Sequence, residues 1–296
     1  MNAPPSVSPR ARILHAVVGL LCGSLLLLSP FPAKAVLFYF TGDTNYNTTA
    51  PATRSLTNSG WQYQGAWVGF SGTVISSNCF ITAKHVGGSV GESFVFQGVE
   101  YPTVAAYEDD QSDLRILRVA GQFPTNAPLY TRRNERGRSL VVIGRDTERG
   151  PEVRVKNRLK GWQWGPWTSV QRWGQNKVSS LVDGGAGLGE LLSASFNWGA
   201  GRNEAHLSGG DSGGAVFIKD GKAFKLAGIN YSVDGPYNTT NTGSGFYAAI
   251  FNQRGLYRQT TDGTWILPVR TPVAGAFYAT RISSHTNWIN TILSTP

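Results

Sequence analysis

Ser212 lies in "EAHLSGGDSGGAVF", residues 204–217, with glycine pairs on both sides and an apolar run directly after it. Gly209, Gly210, Gly213 and Gly214 open backbone conformations denied to other residues and let another chain approach the main chain closely. A serine so placed can serve as a nucleophile if a base accepts its proton, because the hydroxyl hardly ionises at neutral pH. Beyond residue 35 the chain offers His85, His206 and His285 for that task. His85 follows the apolar run "CFIT" in "GTVISSNCFITAKHVGG" and is carried off the end of a strand by a short turn. His285 opens a helical segment, which predicts a surface or capping role. An imidazole acting as base needs a carboxylate to fix its tautomer and stabilise the charge it acquires. "YEDDQSDLRILRVA" offers Glu108, Asp109, Asp110 and Asp113, and only Asp113 leads directly into the alternating run Leu114, Ile116, Leu117. The other three read as a solvated acidic turn.

The elements that must hold these residues are strands. "WVGFSGTVI", "CFIT", "SFVF", "LRILRVA", "SLVVIG", "GAVFI", "FKLAGINY" and "GFYAAI" are short, apolar or alternating, and separated by Gly, Asn, Asp and Ser. They predict an all-β barrel or sandwich. "GQFPTNAPLYTRRNERGR", with two prolines and many charges, divides the strands into two β units, 36–124 and 138–283, joined by a linker at 125–137. Its charged part, "YTRRNERGR", reads as solvated. Helical spacing recurs only at the end, where Trp288, Ile289, Ile292 and Leu293 predict one terminal helix within 284–296.

Residues 1–35 read as an export signal: Arg10 and Arg12, then the mainly apolar Ile13 to Leu28, then "AKA" ending at Ala35. Cleavage there predicts a secreted, extracellular or periplasmic protein that starts at Val36 and has no membrane span. Removing 35 of 296 residues leaves 261, and loss of Arg10, Arg12 and Lys34 lowers the net charge from +9 to +6. No block of basic residues stands out, so nucleic acid is not an expected partner. Cys79 is then the sole thiol, which rules out an internal disulfide and predicts a small buried residue. No cluster of His and Cys suggests a metal, and no cofactor is expected.

Taken together, "SGTVISSNCFITAKHV", "SDLRIL" and "GGDSGGAVF" resemble the His, Asp and Ser motifs of the chymotrypsin-like (trypsin-like) serine peptidases, in that family's order. "LAGINY", "SGFYAAI" and "HTNWINTIL" resemble its substrate-lining strand, the strand behind its specificity pocket and its closing helix. The resemblance spans about Gly65 to Leu293. It implies two six-stranded antiparallel β-barrels with a C-terminal helix, a site in the cleft between the barrels, and a protein or peptide substrate. It implies Ser212 as nucleophile, His85 as base, Asp113 as its orienting acid, and the N–H groups of Gly210 and Ser212 as the oxyanion hole.

The chain also departs from that pattern. Val86 stands where many members have a cysteine after the histidine, which sets the chain apart from the disulfide-rich digestive members. There is no basic-Ile-Val-Gly-Gly activation site. In many members a freed N-terminal amine pairs with the Asp before the nucleophile, here Asp211; "VLFYFTGDTNYN" does not match the usual start, and no separate activating cleavage is expected. His206 occupies the position at which members cutting after Arg or Lys keep an Asp. His206, Tyr231 and Gly245 are the substrate-binding candidates the resemblance supplies, with Glu204 a weaker candidate for the pocket floor than for the surface. Trp162, Trp164, Trp167 and Trp173 permit a different reading, a peptidase-like scaffold serving as a binding or adhesion module. The alternation of 162 and 164 favours indoles packed into a barrel.

Overall fold

The computed structural model describes residues 36–268 and 270–295. The expected signal, residues 1–35, lies outside them. A two-residue strand, β1 (Leu37–Phe38), precedes the first β unit. Six strands then close into a barrel in the order β2-β3-β4-β7-β6-β5: β2 (Gln64–Trp67), β3 (Phe70–Val74), β4 (Cys79–Ala83), β5 (Ser93–Phe96), β6 (Val99–Glu108) and β7 (Leu114–Val119). "WVGFSGTVI" is thus a hairpin rather than one strand. Trp67 pairs with Phe70 across Val68 and Gly69, whose φ values of 40° and 87° supply the two positive angles that a tight two-residue β-turn requires.

β4 is buried along its whole length, which hides the alternation that marks a half-exposed strand. Phe80 points into the barrel with Trp67, Phe94 and Leu117, while Cys79, Ile81 and Ala83 face the core shared with the second unit. The Phe80 and Phe94 rings stack at 3.9 Å.

The second unit starts with two strands far longer than the usual five or six residues, β8 (Ser139–Val155) and β9 (Arg158–Lys177), paired as a long ribbon with several register shifts. It continues with β10 (Ser180–Asp183), β11 (Glu190–Ser195), β12 (Ala205–His206), β13 (Ala215–Asp220), β14 (Ala223–Val233), β15 (Tyr237–Asn238), β16 (Ala248–Ile250), β17 (Tyr257–Gln259), β18 (Trp265–Ile266) and β19 (Ala276–Arg281). Eight of these form one sheet in the order β10-β11-β19-β14-β13-β8-β9-β16. This sheet is a half-barrel rather than a closed set of six, because the ribbon runs on past the sheet and β16 joins its far part. β13 repeats the two-sided burial of β4, with Ala215 and Phe217 in the shared core and Val216 and Ile218 in the core of the half-barrel.

Two peripheral pieces lock the units together. α1 (Thr286–Ser294) lays Ile289, Trp288, Ile292 and Leu293 on the shared core. The linker is exposed at 131–134 and 136–137 but anchored at Glu135, which is fully buried, its carboxylate bonded to the Arg281 guanidinium at 2.6 and 3.0 Å and to Ser283 Oγ at 2.5 Å. Burial pushes this carboxyl up, but those hydrogen bonds and the Arg281 charge outweigh it and hold it below the ordinary range.

Of the four clustered indoles, Trp162 and Trp173 are buried and Trp167 alone is largely exposed. Cys79 is buried and unpaired.

Candidate active site

β4 ends at Ala83, and the chain turns through a single 3-10 turn, Lys84–Val86, that lifts His85 away from the sheet. Ala83 pairs with Leu114, so Asp113, one residue before β7, lies beside that turn. The Lys84 N–H donates to the Asp113 carbonyl at 2.7 Å. Asp113 Oδ1 accepts the His85 backbone N–H at 3.0 Å, and Oδ2 lies 2.6 Å from Nδ1 of the same residue. With its side chain 5% exposed, the carboxylate is enclosed; the imidazole, 40% exposed, stands at the open edge. A proton on Nδ1 donated to the carboxylate leaves the Nε2 lone pair facing outward. Ser212 Oγ lies 2.8 Å from Nε2.

Ser212 reaches that point from the other β unit by a loop that ordinary residues cannot follow. At Gly213, φ is 74° and an added Cβ would come within 2.3 Å of Thr82 Oγ1 and 2.4 Å of the Ser71 carbonyl. The close approach of the two units behind the serine thus requires glycine. Asn230 bridges the loop to the sheet, donating through Nδ2 to the carbonyls of Ile143 and Asp211. Gly210 has φ 86°. Among the described residues neither the Gly210 nor the Ser212 N–H has an acceptor, whereas Asp211, Gly213 and Gly214 do. Two adjacent main-chain donors beside the hydroxyl are therefore free to receive an anionic oxygen.

Asp211 is buried under this loop. Its Oδ2 accepts the Ser208 N–H at 2.7 Å and the Ser208 hydroxyl at 3.0 Å, and the carboxylate also accepts the Val36 backbone N–H. Burial raises the carboxyl to about 7 against these bonds and the Arg172 charge. Arg172 in turn donates to the carbonyls of Val36 and Thr44, and β1 pairs with β12. The segment that begins at Val36 is thus built into the half-barrel, although its sequence does not match the family's usual start.

A pocket of about 170 Å³ opens beside Ser212, walled by Trp164, Leu207, Tyr231, Val233 and Tyr247. No ionisable acid or base lines it apart from the tyrosines. Trp164 and Tyr247 stack at 4.8 Å and 15°.

Of the substrate-binding candidates, Tyr231 lines this pocket, its ring edge-on to His85 at 5.7 Å. His206 does not: it is completely buried between Phe196 and Phe277, with Nδ1 on the Leu207 carbonyl, because the residue pairs with Leu37 in the β1–β12 ladder. Gly245 does not either; it packs on Trp265 and Pro236, and Tyr247 takes the pocket wall. Glu204 is neither at the pocket floor nor on the surface. It is buried at the Asn197 N–H, 2.8 Å away, and burial raises its carboxyl to about 7.

Sequence reasoning missed a second His–Asp contact. Asp109 is buried rather than solvated, and its Oδ2 accepts the Ser112 hydroxyl at 2.7 Å and lies 2.7 Å from Nδ1 of His285. The terminal helix is thereby tied to the turn that carries Asp113. The Asp109-x-x-Ser112 spacing was the available sign of a structured turn.

A family model described as the trypsin-like peptidase domain matches residues 70–229, more than half of the chain. The chain belongs to the trypsin-like peptidase family. This trypsin-like peptidase domain contains His85, Asp113 and Ser212 within its matched span, and ends two residues short of Tyr231. Among solved structures, the chain is similar to neuropsin, a serine protease expressed in the limbic system of mouse brain: 14% identity, TM-score 0.49, covering 81% of this chain and 98% of that one. No curated protein matches it.

Proposed function

We propose that this serine peptidase is a secreted endopeptidase that works through Ser212, His85 and Asp113 and an acyl-enzyme intermediate. The observation that carries the reading is the single hydrogen-bonded line from Asp113 Oδ2 through the imidazole to Ser212 Oγ, at 2.6 and 2.8 Å. Neutral His85 takes the hydroxyl proton as Ser212 attacks the scissile carbonyl, and Asp113 stabilises the imidazolium that results. The developing oxyanion falls to the N–H groups of Gly210 and Ser212. His85 then protonates the leaving amine, and water repeats the sequence to release the acid. In related serine peptidases one oxyanion donor is worth roughly 10²–10³ in rate and Asp→Asn at the orienting position about 10⁴.

The pocket beside Ser212 supports a neutral residue on the acyl side of the cleaved bond. An apolar cavity of about 150 Å³ accommodates benzene, so a space of about 170 Å³ suits a side chain of aromatic or large aliphatic size. A lysine or arginine would meet no carboxylate there.

Signal removal after Ala35 would turn the Val36 amide into an ammonium already placed at the Asp211 carboxylate, the pairing that the family resemblance implies. Export and activation would then be one event.

Labelling with an organophosphonate serine probe tests the chemistry. Wild type is expected to react and Ser212→Ala to stay unlabelled; labelling that persists in Ser212→Ala refutes the assignment. Peptide-library profiling is expected to favour Phe, Tyr or Leu over Lys and Arg. N-terminal sequencing of active secreted protein is expected to begin at Val36, and an inactive secreted form that needs further trimming would contradict that part.

A further inference from the structure

A second pocket, of about 370 Å³, lies where β9 meets the turn after β16, and its lining has a charge pattern that the peptidase reading does not use. Arg158, Lys160 and Arg254 line it together with Asn252 and Trp198, and no carboxylate does. Lys160 is the anomaly. It is 5% exposed, and no hydrogen bond or ion pair involves its ammonium among the described residues. The charges that bear on it, Arg254 and Arg158, have its own sign, and with burial they lower its affinity for the proton. Neither arginine has an ion pair or a side-chain hydrogen bond among the described residues. The Lys160 stem is packed away while its ammonium opens on the pocket among like charges, an arrangement that an anion there would relieve.

The surroundings are built rather than loose. The Phe251 N–H donates to the Lys160 carbonyl at 2.9 Å, fixing the turn against β9. Asn252 Oδ1 accepts the Arg254 N–H at 3.0 Å, which leaves the Asn252 amide N–H₂ as a further donor. Trp198, 68% exposed, is held edge-on to Phe251 at 4.9 Å with the rest of its indole open.

We propose that this pocket binds a doubly charged oxyanion, phosphate or sulfate, carried on a cyclic group that stacks on Trp198. Three cations match two negative charges with one in reserve, and the arginine forks suit tetrahedral oxyanions. The indole adds a flat apolar platform for a ring. The inference stands independently of the peptidase reading, since none of these residues belongs to the Ser212 site.

Calorimetric titration of the full protein at low ionic strength tests it, with inorganic phosphate, inorganic sulfate, glucose 6-phosphate and glucose as probes. Glucose 6-phosphate is expected to bind at least tenfold more tightly than inorganic phosphate, sulfate comparably to phosphate, and glucose not at all. Lys160→Met should weaken both phosphate probes by about ten- to a hundredfold, the loss of a charge-assisted bond. The Tm of that variant without ligand should hold or rise, since a charge repelled by Arg158 and Arg254 is gone, and its peptidase activity should be unchanged. Trp198→Ala should remove the advantage of the sugar while leaving inorganic phosphate binding intact. No binding of either phosphate probe at 25 mM, or affinities that Lys160→Met leaves unchanged, would overturn the oxyanion site. Equal affinity for glucose 6-phosphate and inorganic phosphate in the wild type would overturn the stacked carrier.

Discussion

The two β units solve the problem of burial differently. The first barrel packs an apolar cluster of Trp67, Val74, Phe80, Phe94, Phe96, Leu117, Val119 and Phe123, and outside that cluster it buries Asp109, Asp113 and Arg115. The half-barrel and its attachments bury Glu135, Arg172, Glu204, His206, Asp211 and Arg281. The first unit keeps its few buried charges outside its apolar cluster; the other buries more of them, with Asp211 directly before Ser212 in the serine loop. His85 and Asp113 thus come from the first unit and Ser212 from the second.

The largest expected effect removes chemistry without touching either core. Ser212→Ala or His85→Ala should lower kcat/KM by about 10⁴-fold or more, with Tm unchanged within about two degrees. Next comes a matched pair. Phe80→Ala in the first barrel and Glu135→Ala at the second should each cost about 3–5 kcal/mol in denaturant unfolding, one by opening a cavity and the other by stranding the buried Arg281. Glu135→Gln should recover part of the second loss, and equal costs for Ala and Gln would reduce Glu135 to a space filler.

A smaller effect carries a sign. Glu204 titrates near 7 in the fold against an ordinary value of 4.5, so the folded chain holds that proton more tightly than the unfolded one. Its contribution to stability is therefore greatest below about pH 4.5 and is lost as pH rises through about 7. Glu204→Gln should remove this slope and raise stability at pH 8 by on the order of 1–3 kcal/mol. A variant less stable than wild type at pH 8 would mean that the hydrogen bonds from Asn197 outweigh the cost of burying the carboxylate. The smallest effect is at the seam between the units. Trp167, 57% exposed, meets Phe70 edge-on at 6.0 Å, and Trp167→Ala should cost about 0.5–1.5 kcal/mol, with pH-independent loss expected.

The same contrast explains what could be read from the residues alone. His85 lies two residues past the end of β4 and Asp113 one residue before β7, so a local pattern of apolar run, turn and charged residue marked both as candidates, which the family resemblance then joined. Ser212 was legible because its glycines are a local conformational requirement. The pocket walls were not, since Trp164 and Tyr247 come from β9 and from the approach to β16, and only the pairing of those strands brings them together. The short runs pointed to a barrel or sandwich, and two six-stranded barrels came only with the family resemblance; the second departs from it as a half-barrel because the β8–β9 ribbon carries several register shifts and runs on past the sheet. His206 was misplaced by counting along the chain, because a burial pattern set by a strand 169 residues earlier leaves no local mark. Buried charges such as Glu135 and Asp109 look like surface residues for the same reason, their partners being distant or on another element.

That distance has a kinetic side. Leu37 is among the first described residues, yet its partner strand and the buried carboxylate beneath the serine loop are assembled from residues past 200. Contacts of such long sequence separation form late. Leu37 and Phe38 therefore gain their strand partners only once the chain past residue 200 has been made, and stay unpaired and apolar until then.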